Sequence, residues 1–181
     1  MNKRGGIITV RLTSRWPYNP ISLAVGVLSG SRQFSHAIAI IDERAYEASM
    51  THGCRAASVA EVMDGIVVYR DMHVWVPDIP AAIAFAESQA GKGYDWAGAV
   101  GIPLTYSEDW ADDTKWWCSD LVFAIVFAGG ARLFDPGVMK RVRPIDLQMV
   151  DYPKEPIIRT APFTPSSPRK RAFLRPTKRQ K

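Results

Sequence analysis

Cys118 is the residue in this chain best placed for covalent chemistry. It stands in Trp116-Trp117-Cys118-Ser119-Asp120, ahead of an apolar run that ends at Gly129-Gly130. That pattern predicts a helix starting near Cys118, with Ser119 and Asp120 in its first turn and the glycine pair at its end. A thiol at that position feels the positive end of the helix dipole, which favours the nucleophilic thiolate. A cysteine nucleophile needs a base within hydrogen-bond reach, and the base needs an orienting acceptor. His36 opens the apolar segment Ala37-Ile38-Ala39-Ile40-Ile41. On a two-residue period His36, Ile38 and Ile40 share a face, which sets the imidazole beside the core. Taken alone, such a histidine is more often a satisfied half-buried one. Glu47 changes the weighing, because it lies past the turn at Asp42-Glu43-Arg44. Cross-strand neighbours in such a hairpin are about 4.5–5.5 Å apart, which puts Glu47 beside His36.

These residues need a frame. Residues 6–12 read as a first strand, 34–41 as a second, 45–49 as its hairpin partner and 53–58 as a short strand. Ser58 is placed to cap a short helical piece at 59–63, and 65–70 with 73–76 continue the sheet. Residues 15–20 are a proline-bearing loop, followed by a short apolar element at 21–28. Asp78 and Pro80 mark the start of the first long helix, which Gly91 or Gly93 stops. Asp95 is placed to cap a second short helix, residues 105–115 form an acidic loop, and 139–142 read as a β segment before Asp146. The expected fold is α+β, with an antiparallel, partly barrel-like sheet packed on the cysteine-bearing helix and an extended C-terminal tail.

The chain has 181 residues, 47% of them hydrophobic, ample for one core. Residues 153–181 carry nine Lys and Arg against one acidic residue, a net charge of +8, and hold six of the thirteen prolines. Residues 1–152 carry fourteen Lys and Arg against seventeen acidic residues, a net −3. The expected organisation is a mildly acidic domain over 1–152 and a basic Pro-rich tail over 153–181 that cannot bury a core of its own. Cys54 and Cys118 are too few for a disulfide scaffold or a cysteine-based zinc site, and three histidines leave little room for a metal centre. No metal and no cofactor is expected. No apolar stretch reaches the roughly 18–20 residues of a membrane span. The N-terminal residues lack a signal-type apolar region, which predicts synthesis in the cytoplasm without a cleaved export signal.

Four segments taken in order resemble the permuted NlpC/P60 group of papain-like cysteine peptidases and amidases, which includes the YiiX/YaeF-like proteins. They are Ser35-His36-Ala37-Ile38-Ala39-Ile40-Ile41, Tyr46-Glu47-Ala48, Gly93-Tyr94-Asp95 and Trp117-Cys118-Ser119-Asp120-Leu121-Val122. In the usual family order the cysteine helix precedes the histidine strand; in the permuted group, as here, the histidine comes first. The resemblance covers roughly residues 5–150. It implies a papain-like fold with Cys118 as nucleophile, His36 as general base and Glu47 as the residue that orients the histidine. It also implies that Tyr94 and Asp95 support the site. Asp95 reads equally well as a helix cap, and Ser35 reads better as structural than catalytic.

The implied activity is hydrolysis of an amide through a thioester acyl-enzyme, with peptidoglycan peptides or lipid-linked acyl groups as substrates. One setting is a phage virion or tail-associated cell-wall hydrolase, carried by the particle and needing no export signal. Rival readings are a non-catalytic structural or adaptor module and a lipid acyl hydrolase or transferase. The basic tail, with Phe163 and Phe173, suits docking on another protein of an assembly, on nucleic acid phosphates or on anionic headgroups. Other candidates carry less. Cys54 reads as an inert buried thiol, His52 and Cys54 do not make a metal site, and His73 reads as a strand or loop histidine. Trp110, Trp116 and Trp117 are groove or core tryptophans, with core packing ahead for Trp117.

Overall fold

The structure, a computed structural model, describes residues 4–15, 33–96, 114–135 and 142–160. Six strands form one antiparallel sheet: β1 (Gly6–Ser14), β2 (His36–Ile41), β3 (Arg44–Ser49), β4 (Gly53–Ser58), β5 (Val68–Val76) and β6 (Ile158–Arg159). Their spatial order is β4-β3-β2-β1-β5-β6. Among the described residues four helices accompany them: α1 (Val59–Met63), α2 (Ile79–Ser88), α3 (Cys118–Ala128) and α4 (Pro144–Met149).

Local chemistry accounts for most of these boundaries. The β2–β3 connection is a two-residue turn in which Asp42 and Glu43 both have positive φ, 47° and 64°, the backbone that matches strand twist in a tight hairpin. The Ser58 side chain accepts from the Glu61 N–H and starts α1. Asp78 accepts from the Ala81 N–H and starts α2, with Pro80 in the first turn. After α3 the chain turns at Gly130, whose φ of +88° suits glycine. Helix α4 lies where the sequence suggested only the approach to Asp146. That carboxylate accepts from the Arg143 backbone and side chain, and Pro144 supplies a preset first turn.

The main core lies on one sheet face. Ile8, Val10 and Leu12 of β1, Ala37, Ala39 and Ile41 of β2, and Val74 and Val76 of β5 meet Leu121, Val122 and Ile125 of α3. Helix α2 packs beside α3. The opposite face holds a small second cluster, Ile38, Ala45 and Val62, under α1. It also holds a bidentate Arg11–Asp71 pair at 2.7 Å, with Arg11 over the Tyr69 ring. His36, Ile38 and Ile40 do share a face, but it is this second one.

Two expectations are corrected. The sheet is not closed into a partial barrel. Its edges, β4 and β6, lie at opposite ends of the strand order, and β4 meets the 91–92 backbone instead, through Cys54 N–H to Lys92 O at 2.8 Å and Gly91 N–H to Cys54 O at 2.9 Å. Gly53 is required there, since a Cβ would fall 2.4 Å from Lys92 O. Residues 68–76 form one uninterrupted strand, not two pieces. Residues 153–160 also lie against β5. Lys154 bridges Met72, and β6 pairs with Val68 and Tyr69. The expected elements at 21–28, after Asp95 and at 139–141, most of the acidic loop, Trp110, Phe163, Phe173 and the basic clusters beyond 160 lie outside the described residues. Among the described residues no helix is long and apolar enough to cross a membrane.

Candidate active site

Cys118 is the first residue of α3, with Trp117 as an extended N-cap and Asp120 in the first turn. The residues around it fix the helix start by gripping one backbone unit. Trp117 Nε1 and Ser119 Oγ both donate to Val142 O at 2.6 Å, and Asp120 Oδ1 accepts from Val142 N–H at 2.6 Å. All three side chains are buried, so the motif after the cysteine anchors the helix to the chain that returns at Val142. Trp117 therefore anchors the start of α3 to Val142. Trp116 packs edge-on to Phe85 of α2 and donates to Gln89 Oε1 at 3.0 Å.

A second crossing brings Tyr94 in. Residues 93–95 pair in parallel with Trp116, through Trp116 N–H to Gly93 O at 3.3 Å and Asp95 N–H to Trp116 O at 3.0 Å. Asp95 is buried at this crossing. Tyr94 is buried and hydrogen-bonded to the Cys118 side chain. Burial, then the electrostatic effect of Cys118 and the hydrogen bond to it, hold the Tyr94 phenol well above its ordinary range, so it stays protonated and able to donate.

His36 sits at the sheet end of β2, where its ring contacts Cys118 from one side and Glu47 from the other. The Nε2–Glu47 Oε2 distance is 2.8 Å, leaving Nδ1 as the ring nitrogen for the thiol. The pairing register runs Ile40 with Ala45 and Ala39 with Tyr46, so Glu47 falls opposite Ile38 and reaches His36 along the diagonal, within range of a long side chain. Burial works against the imidazolium, but the hydrogen bonds to Cys118 and Glu47 and their charges outweigh it and raise His36 from 6.5 to about 9. Burial likewise works against the Glu47 carboxylate, and the hydrogen bond and charge of His36, with those of Arg55, bring it from 4.5 down to about 2. The Cys118 side chain, an imidazolium and a carboxylate thus form a continuous row.

Arg55 is the site residue that sequence reasoning missed. It faces Glu47 directly across the β3–β4 ladder. Its Nε and Nη2 lie 2.9 and 2.8 Å from Glu47 Oε1, and Nη1 bonds Glu61 of α1. The available signal was the turn at 50–52, which makes residues 47 and 55 cross-strand partners. Ser35 donates its backbone N–H to Thr13 O at 3.0 Å and lines a groove of about 200 Å³ with His36, Glu47, Tyr94 and Arg55.

The remaining candidates stand apart from this row. Cys54 is a free, buried thiol that burial pushes up to about 11, against the effect of Lys92. His52 bonds Thr51 at 2.8 Å beside the groove, and His73 bridges Thr9 and Glu155 on β5. Among the described residues no group of three or more His, Cys, Asp or Glu is arranged to hold a metal ion. Comparisons with protein-family models, with curated proteins and with solved structures each return no match for this chain.

Proposed function

We propose that this protein is a cysteine hydrolase that cleaves an amide bond through Cys118, His36 and Glu47. The observation that carries the reading is the single imidazole set between a thiol at a helix N-terminus and an ionised carboxylate. In that arrangement the thiolate attacks the substrate carbonyl carbon and forms the S–C bond. The developing oxyanion faces the Cys118 backbone N–H, which has no intrahelical acceptor at the first helical position, and the Tyr94 hydroxyl. The tetrahedral intermediate collapses as the C–N bond breaks, and His36 protonates the departing amine. His36, now neutral, takes a proton from water, which hydrolyses the thioester and restores the thiol. Glu47 holds the ring orientation and offsets the imidazolium charge throughout.

The histidine-first order of the four segments supports a permuted NlpC/P60-like, papain-type enzyme, and with it a peptidoglycan peptide as the substrate. The basic segment after residue 160 supports a component docked into a larger assembly, such as a phage particle carrying its own cell-wall hydrolase. The test compares wild type with Cys118→Ala on purified peptidoglycan and on short acyl esters. The reading expects release of new amino groups from peptidoglycan by wild type alone. Equal release by both proteins, or ester cleavage without any amide cleavage, counts against it.

A further inference from the structure

The groove beside His36 has the chemistry of a site for a polar, negatively charged guest. Among the described residues its lining includes five serines and threonines and two arginines, Arg15 and Arg55, while only Met50 and Ile66 bring aliphatic side chains. Glu47 is the one carboxylate in that lining, and both its oxygens are engaged, Oε1 by Arg55 and Oε2 by His36. Thr13 adds a second kind of observation. It is fully buried, its Oγ1 has no hydrogen-bond partner, and it lies directly opposite His36 in the β1–β2 ladder. An orphaned buried hydroxyl costs stability, and at the floor of a groove beside a general base it has a use if a ligand completes it.

The position of the groove says which half of a substrate it holds. His36, Glu47 and Tyr94 line it, whereas Cys118 does not. The chain lying against His36 is the one that receives its proton when the C–N bond breaks, which is the departing amine. A lipid chain is disfavoured there, since two aliphatic side chains cannot replace the water it would shed.

We infer that this groove is the leaving-group subsite and that it takes an amine whose chain carries a carboxylate, met by Arg15, Arg55 and Thr13 Oγ1. The assignment deepens the hydrolase reading and rests on it for the term leaving group. The acyl–nitrogen bond breaks, the nitrogen keeps its electron pair and takes the His36 proton, and the released molecule is a free amino acid or peptide. Guanidinium groups pair well with carboxylates, and Thr13 supplies a neutral donor where water is excluded.

The test uses the full chain with Cys118→Ala, which binds without turnover. It is titrated by calorimetry with the dipeptide Ala-Ala and with its C-terminal amide. Ala-Ala is expected to bind about tenfold more tightly than the amide, as a charge-assisted contact requires. That preference is expected to fall to about twofold when Arg15→Gln is added, and also in about 0.5 M salt. Adding Thr13→Val is expected to weaken Ala-Ala binding while Tm holds or rises, because valine keeps the shape and removes the orphaned hydroxyl. A purely structural Thr13 would instead lower Tm and leave the binding unchanged. Equal affinities for acid and amide, or no binding of Ala-Ala below about 50 mM, a very weak limit, would overturn the inference. The titration needs no catalysis, so its failure is distinct from a wild-type protein that releases no amine from any substrate.

Discussion

Arg55 and Glu47 face each other across the β3–β4 ladder, and the guanidinium holds Glu47 Oε1 at 2.8–2.9 Å. Glu47 Oε2 is thereby turned along the diagonal to His36 Nε2, 2.8 Å away. The carboxylate is nearly inaccessible to solvent, so it needs both cations to remain charged. In the proposed hydrolase Arg55 is thus a positioning residue, reaching the cysteine through Glu47 and His36. Replacing it with Gln is expected to lower kcat roughly tenfold, less than loss of an orienting carboxylate itself, which costs up to about 10⁴ in a serine triad. Arg55→Lys is expected to recover part of the loss. A conserved rate of Cys118 alkylation in Arg55→Gln, measured with iodoacetamide across pH, would show that Arg55 does not steer the row.

The same row makes stability depend on pH in two windows. His36 is raised in the folded chain from 6.5 to about 9, so its contribution is complete below pH 6.5 and is lost as pH climbs to 9. Glu47 is lowered from 4.5 to about 2, so its contribution is complete above pH 4.5 and is lost as pH falls to 2. Tm is expected to drop by roughly 5–10 °C between pH 6.5 and 9, on the scale of a few kcal/mol for a domain of this size. Glu47→Gln removes one of the partners that raise His36 and is expected to flatten that alkaline slope. Thermal melts of both proteins at half-unit pH steps provide the check; parallel curves would mean that the pair does not titrate as described.

The two cysteines differ in a way that a thiol reagent reads directly. Burial pushes Cys54 to about 11, which leaves about 10⁻⁴ of it as thiolate at pH 7. Cys118 has an imidazolium and a phenol in contact. Peptide mapping after brief iodoacetamide treatment is expected to find label on Cys118 and almost none on Cys54. The label on Cys118 should fall sharply in His36→Asn. Comparable labelling of both cysteines in wild type would mean that the imidazole does not activate the thiol.

The tight turn at Asp42-Glu43, the Ser58 and Asp78 caps and the glycine stop after α3 are local chemistry, and all of them were legible. His36, Glu47 and Cys118 were legible as chemical types in a meaningful order. Their register was not: Glu47 was expected directly beside His36, and the structure places it on the diagonal. Arg55 stayed hidden because its meaning depends on a second hairpin, and nothing about Cys54-Arg55-Ala56 alone marks it. The grip of Trp117, Ser119 and Asp120 on Val142 is likewise a contact across more than twenty residues. The barrel-like closure failed for a related reason, since strand alternation says which face is buried but not which edges meet.

Tyr94 separates support from chemistry. Its ring packs edge-on to Trp96 with centroids 5.5 Å apart, and its hydroxyl bonds Cys118. Tyr94→Phe keeps the ring and removes the donor. It is expected to leave Tm within a few degrees and to lower kcat by about 10²–10³, the range for losing one oxyanion donor, with KM little changed. An unchanged kcat would assign Tyr94 to packing alone, and a large fall in Tm would assign the hydroxyl to the fold.

The segment after residue 152 begins as part of the sheet. His73 N–H donates to Pro153 O at 3.2 Å, Glu155 N–H to Asp71 O at 2.9 Å and Thr160 N–H to Val67 O at 2.9 Å. The Thr160 hydroxyl adds a bond to Ile66 O at 2.7 Å, and Ile158 and Arg159 pair with β5. A chain ending at Tyr152 therefore bares the edge of β5 next to the Arg11–Asp71 pair, and bare edges also invite association. Each lost bond contributes about 0.5–1.5 kcal/mol, so a chain ending at Tyr152 is expected to melt roughly 5–10 °C below one ending at Thr160. It is also expected to associate more at high concentration, which light scattering would register. Identical melting and scattering for the two chains would place the end of the domain at 152 after all. The basic charge between 154 and 159 would then be tail, and β6 would add nothing to the sheet that carries His36.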